Sequence, residues 1–336
     1  MVVEAHHASE RWENTAADGW TVDDLDHAEL VRTIDEAIRR GRLSDPGTRD
    51  PTELLRGLGL VDNRALTRAA VVLFARQERL MPAYAQCRVR LARFKGVDKG
   101  EFIDNRQYEG NAFDLLVKSD RFLREHLPVA GRVVGGIFER VDDPIYPPEA
   151  LREALANAFC HRDYAIGGGS VSVAIYDDRL EITSAGGLHF GLTVDDLYKP
   201  HDSLPWNPLI ASVFFKRGVI ETWGRGTIKM TQLTERVGLP RPEFEDVAGT
   251  LLVRFRPSRY LPPQRIGRDL TVQQQKILAV LANRGSVALG RILEVLETNE
   301  RRSVQTDLHF LRSLDLVEGT GHGRGARWRL REGPSE

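Results

Sequence analysis

Cysteine is almost absent from this sequence. Only Cys87 and Cys160 occur in 336 residues, which excludes a disulfide framework and leaves too few thiolates for a structural zinc site. No run approaches the roughly 20 apolar residues that a membrane span needs. The opening stretch, MVVEAHHASERWENTAADGW, lacks the basic-then-apolar order of a secretory signal. A cytoplasmic protein is therefore expected. An excess of one charge is missing too: 47 basic residues stand against 48 acidic ones, for a net charge of −1. Overall charge thus does not mark a nucleic-acid binder, and any such role has to sit in a local patch. With 41% hydrophobic and 28% charged residues, the chain reads as globular and long enough for two or three domains.

Periodicity supplies a first outline. Residues 1–21 are polar and without apolar period, and are expected to be a disordered or linker segment. From Thr21, Leu30, Ile34 and Ile38 recur every four residues and stop at Gly41, as in a capped helix. A short helix follows over 51–57. AVVLFA (70–75) and CRVRLARFKG (87–96) are rich in β-branched and apolar residues and predict strands; FDLLVKSDRFLREHL (113–127) returns to helical spacing. Residues 22–145 thus form a mixed α/β region.

Pro147-Pro148 opens a strong helix, since proline suits the first turn. On it Glu153, Asn157 and His161 share one face, beside an apolar stripe of Leu151, Leu155 and Phe159. A hairpin follows: Val171, Val173 and Ile175 alternate with polar residues, Asp177-Asp178 turn the chain, and Leu180 and Ile182 return. Next come the Gly-rich loop SAGGLHFG, a helix near 207–217, a second glycine pair (Gly224, Gly226) leading into a helix, and closing strands near LLVRFRP. The polar helix face alone fits a solvated amphipathic helix equally well. Its neighbours favour chemistry. Glycine loops let backbone N–H groups close on phosphates, a helix N-terminus adds a favourable dipole, an Asn oxygen suits magnesium, and a carboxylate can position water.

YLPPQRIGRD marks a linker over 259–269. Beyond it, apolar residues at 270, 277, 278 and 281 make a first helix, ALGRILEVLE a second, and Asn299 starts a third with Val304, Leu308, Leu311 and Leu314 inward. A glycine-rich hairpin closes what reads as a winged helix-turn-helix over 270–331. Arg301, Arg302, Ser303, Gln305 and Thr306 open the third helix, and Arg324, Arg327 and Arg329 flank the wing; such groups bond phosphates and base edges of double-stranded DNA. Seven arginines against four acids over 300–331 give that stretch +3.

The blocks LTRAAVVLFA, RFKGVDKGEFID, YPPEALREALANAFCHRDYAIGGG, DDRLEITSAGGLHFGLTVDDL, NPLIASVFFKRGVIETWGRGTIKM and GLPRPEF resemble bacterial "RecG-related" transcriptional regulators. These pair a GHKL-type (Bergerat-fold) ATP-binding domain with a helix-turn-helix. The resemblance implies an α/β (α+β) chain: the mixed region, a Bergerat-type α/β sandwich over 146–258, and the winged helix. It implies ATP and Mg²⁺ as ligands. Asn157 would take the magnesium and Glu153 would act as base in the hydrolysing branch. Gly186 and Gly187 would lie near adenine, and Gly224 and Gly226 would cover the phosphates. His161, Asp163 and Thr227 belong to the same nucleotide-binding set, and homo-oligomers fit the family. Two positions depart from the pattern: Ser184 opens Ser184-Ala185-Gly186-Gly187 where Asp–x–Gly–x–Gly is usual, and Trp206 stands where arginine is expected. Members frequently carry an N-terminal AlbA/Schlafen-type domain, which this chain is expected to lack. His161-Arg162-Asp163 is not a kinase loop, because residue 168 is glycine rather than asparagine. No G-x-x-x-x-G-K-[ST] loop exists to drive a helicase. Three readings stay open: a nucleotide-modulated DNA-binding regulator, an ATPase, and a degenerate scaffold that binds DNA constitutively.

Overall fold

The computed structural model describes residues 11–127, 129–133, 140–201, 204–221, 226–257, 270–296, 298, 300–314, 316–320 and 326–331. The chain divides into two compact units, Met1–Phe255 and Arg256–Glu336.

In the first unit, α1 spans His27–Arg39, and the Asp26 side chain accepts the Glu29 amide at 3.0 Å. That cap satisfies one orphan donor of the first turn. Leu30 and Ile34 are fully buried, worth about 1.5–3 kcal/mol each against exposure. Helix α2 (Pro51–Gly57) follows with Asp50 as its cap and Pro51 at its first position. A small hairpin joins β1 (Val61–Asp62) to β2 (Ala65–Leu66) through Asn63 and Arg64, both at positive φ. The expected strand at 70–75 is instead the body of helix α3 (Arg68–Phe74), capped by the Thr67 hydroxyl. Every residue from Ala69 to Phe74 is buried; an apolar run enclosed on all sides carries no period that separates helix from strand. The four-residue α4 (Gln77–Leu80) leads to β3 (Arg88–Lys95) and β4 (Glu101–Glu109), and Asn111 caps α5 (Ala112–His126). Among the described residues, strands β5 (Val129–Val133) and β6 (Arg140–Pro144) pair only with each other.

Helix α6 runs Pro148–His161, β7 Val171–Ile175, β8 Leu180–Ala185, α7 Pro208–Arg217, α8 Gly226–Arg236, β9 Glu243–Val247 and β10 Thr250–Phe255. The main sheet has the order β4-β3-β7-β8-β10-β9, parallel between β3 and β7 and antiparallel elsewhere. It therefore crosses the boundary expected at 145/146: β3 and β4 continue the sheet of the later strands. One hydrophobic core runs from Ala17 to Phe255.

The polar opening is also structured from residue 11 onward, against the expectation of a linker. Trp12 stacks on Tyr164 with ring centroids 5.7 Å apart, Trp20 meets Tyr84 edge-on, and Ala17 N donates to Leu66 O at 2.7 Å. The segment lacks period because it is held by single aromatic anchors rather than by a continuous face.

The second unit contains α9 (Val272–Arg284), β11 (Val287–Ala288), α10 (Leu289–Val295), α11 (Arg301–Ser313), β12 (Val317–Thr320) and β13 (Arg327–Leu330). Its sheet has the order β11-β13-β12. Ile277, Leu278, Ile292, Val304, Leu308, Leu311 and Trp328 form a separate core. The expected linker at 259–269 and Arg324 of the wing lie outside the described residues. The whole is a mixed α/β protein, as its sequence predicts.

Candidate functional site

Helix α6 packs on β8 and against α8. The fully buried Ala154 and Ala156 show why small residues recur on it: they allow close approach on two sides. Leu151, Leu155 and Phe159 face the core, as their stripe predicts. The other face is not solvated. Glu153 is buried and, with Asn157 and His161, lines a cavity of about 620 Å³. Ile182 and Ser184 of β8 and Leu251 and Val253 of β10 line it as well, with Pro208, Ala211, Ser212 and Phe215 from α7.

The start of α8 closes the cavity beside Glu153. A Cβ built on Gly226 would fall far inside van der Waals contact with Glu153 Oε1 and 3.1 Å from Asn157 Nδ2. Only glycine lets the α8 N-terminus come this near. The next residue, Thr227, has a buried hydroxyl with no partner among the described residues, and it lines the cavity. A buried polar atom without a partner costs about 1–3 kcal/mol. Burial pushes the Glu153 carboxyl above the usual range, while the Lys229 charge and a hydrogen bond from Asn157 pull it back.

Burial, helped by His189 and His201, lowers His161 to about 4, so its imidazole is neutral near pH 7. His189 and His201 also line the cavity. The His189 ring lies on Trp206, with centroids 3.7 Å apart and planes within 8°. Trp206 thus provides a stacking surface where the family pattern led us to expect a charge.

Not every glycine and acid of the expected set faces the cavity. Gly187 lines it, but Gly186 serves the loop: φ is +98°, its N–H donates to Gly249 O at 2.8 Å, and a Cβ would sit 2.8 Å from Asp163 N. Asp163 is not among the lining residues. Its N–H donates to Ala185 O at 2.8 Å and its carboxylate accepts the Ala165 amide at 2.8 Å. Asp163 and Gly186 therefore support each other in the loop. Gly224 lies outside the described residues.

Three supports escaped the sequence reading. Asn207 Nδ2 donates to Cys160 O and Arg162 O, both at 2.8 Å, tying the end of α6 to the start of α7. Glu13, fully buried, accepts the Leu209 and Ile210 amides at 2.9 and 3.1 Å, capping α7 from far away in sequence. Asp246 accepts the Leu188 amide at 2.9 Å and steadies the glycine loop from β9. Asn207 before Pro208 carried a readable helix-start signal; Glu13 and Asp246 act across the chain and carried none.

In the second unit, Arg301, Arg302 and Thr306 are exposed at the start of α11, with Gln305 half-buried beside them. The Ser303 hydroxyl accepts from Gln273 Nε2 at 3.0 Å. On β13, Arg327 donates to Ser286 O at 2.8 Å, and Arg329 pairs with Glu318.

Residues 168–255 match the protein-family model described as "Putative ATP-dependent DNA helicase recG C-terminal", an ATPase-like domain. That range holds both cavity-lining strands and α8 but not α6. No curated protein matches the sequence. Among solved structures, the chain is similar to the DIP2311 protein from Corynebacterium diphtheriae, at 21% identity and a TM-score of 0.57. The match covers 93% of this chain and 62% of that one, so the chain spans under two thirds of its neighbour, and the likeness is one of fold. Among the described residues no helix is long and apolar enough to cross a membrane.

Proposed function

We propose that the cavity between α6, α7 and α8 binds ATP with magnesium, and that its occupancy modulates DNA binding by residues 270–331, making the chain a nucleotide-responsive regulator of transcription. One observation carries the nucleotide reading. Gly226 brings the α8 N-terminus onto the Glu153–Asn157 pair, and the Thr227 hydroxyl beside it lacks a partner among the described residues. Phosphate oxygens satisfy amide and hydroxyl donors at a helix N-terminus. No cluster of three His, Cys, Asp or Glu residues suited to a metal occurs among the described residues, which fits an ion held by one Asn oxygen, phosphates and water. Magnesium would supply charge neutralisation to the phosphates. His189 lines the cavity with its ring backed by Trp206, an arrangement that suits a stacked heterocyclic base.

The DNA reading rests on the helix and strand order of the second unit. Its Arg301, Arg302, Gln305, Thr306, Arg327 and Arg329 would meet the duplex, Ser303 holding α11 against α9 behind them. Fluorescence anisotropy of a labelled duplex, with and without a non-hydrolysable ATP analogue and magnesium, tests the coupling. A several-fold change in affinity with nucleotide is expected, whereas equal affinities would remove regulation from the proposal.

A hydrolytic reading has its own support: the Glu153 carboxylate is buried against the cavity, as a base beside a reacting water must be. Glu153→Ala should then bind ATP and turn none over, and wild type without turnover above background would end that reading.

A further inference from the structure

Among the described residues, the cavity lining carries two carboxylates, Glu153 and Glu221, and no lysine or arginine. That is the wrong balance for a polyanion, because like charges in a partly enclosed space repel each added phosphate. Glu153 belongs to the proposed site. Glu221 stands at the rim, its side chain 65% exposed, and its charge is the one that has to be cancelled.

The turn after α1 supplies the counter-charge from 179 residues earlier. Gly41, at φ +67°, ends the helix, and the Arg42 amide donates back to Ala37 O at 2.8 Å. This closing turn fixes where the Arg42 side chain starts. Its Nη2 donates to both Glu221 carboxylate oxygens at 3.0 Å, and its Nη1 donates to Phe215 O at 2.5 Å and Ile220 O at 3.2 Å. The guanidinium also lies 4.3 Å from the Phe215 ring centroid. Phe215, Ile220 and Glu221 all line the cavity. With its side chain only 17% exposed, Arg42 is screened less than a free surface arginine. Its planar fork reaches the carbonyls and the carboxylate at once, which the single ammonium of a lysine does poorly.

We propose that Arg42 is a positioning residue for the nucleotide: paired with Glu221, it keeps that carboxylate neutralised at the rim and so lets the cavity admit a triphosphate. The inference rests on the nucleotide reading above. Calorimetric titration of the full chain with a non-hydrolysable ATP analogue and magnesium tests it in wild type and three variants. Arg42→Met, which keeps an apolar stem on the Phe215 ring, is expected to bind about tenfold more weakly, since an uncompensated charge then faces the phosphates. Glu221→Gln is expected to bind more tightly than wild type. The double variant is expected to return to within about threefold of wild type, as two residues acting through one pair should. Loss of the bonds to Phe215 O and Ile220 O persists in the double variant, so a merely structural Arg42 would leave it as weak as Arg42→Met. That result would overturn the inference. So would weaker binding by Glu221→Gln, a measurement that keeps Arg42 in place should its replacement not fold. No binding by wild type would end the nucleotide reading and this inference together, whereas binding by wild type without rescue in the double variant ends this inference alone.

Discussion

Replacing Glu13 by glutamine should change how stability depends on pH, by an amount set by the burial of one carboxyl. Glu13 is fully enclosed where residues 11–20 meet α7, and burial, opposed by the Leu209 and Ile210 amides, raises it from the ordinary 4.5 to about 7. Below pH 4.5 the carboxyl is protonated whether the chain is folded or not. Between 4.5 and 7 the unfolded chain releases the proton and the folded chain keeps it, so stability falls as pH rises. Above 7 both forms are ionised and the loss is complete. At roughly 1.4 kcal/mol per pH unit this comes to about 3 kcal/mol. Glutamine keeps the shape and an acceptor oxygen but cannot titrate. Urea unfolding of wild type and Glu13→Gln, followed by tryptophan fluorescence at half-unit steps from pH 4.5 to 8, measures the difference. It should shift by about 3 kcal/mol in favour of the variant up to pH 7 and stay level beyond. A difference constant across the range would refute an enclosed, titrating Glu13.

The other expectations are more local. Gly226→Ala should keep the far-ultraviolet circular dichroism of wild type yet weaken nucleotide binding at least tenfold, since the added methyl drives α8 off Glu153 and Asn157. Trp206→Ala exposes His189, whose pKa burial holds below the ordinary 6.5; imidazole NMR titration should show that pKa rising while His161 stays near 4. Arg301→Ala and Arg302→Ala should each reduce the slope of log affinity for duplex DNA against log salt by about 1, the change expected for one lost phosphate contact. An unchanged slope would place that arginine away from the backbone.

What the sequence reveals tracks how local each signal is. Helix α5 announces itself through helical spacing over 113–127 and α6 through Pro147-Pro148, and the β7–β8 hairpin through strict alternation about Asp177-Asp178. The spacing of Glu153, Asn157 and His161 reads correctly as one face, because four residues slightly exceed one turn. Helix α3 was misread because its surroundings bury it on every side. The segment from Arg11 to Trp20 was misread because Trp12 and Glu13 find their partners at Tyr164 and Leu209, about 150 to 200 residues away. In the glycine loop, spacing did not reveal that Gly186 and Asp163 support each other while Gly187 alone of the pair faces the cavity. That distinction depends on β9, whose Asp246 comes nearly 60 residues later.

The central claim is that magnesium nucleotide occupies the cavity at the α8 N-terminus. Calorimetric titration of the purified chain with a non-hydrolysable ATP analogue and magnesium, beside Asn157→Ala, tests it most directly. Saturable binding by wild type that vanishes in the variant is the predicted result. No heat from wild type, or equal binding by both proteins, would contradict it.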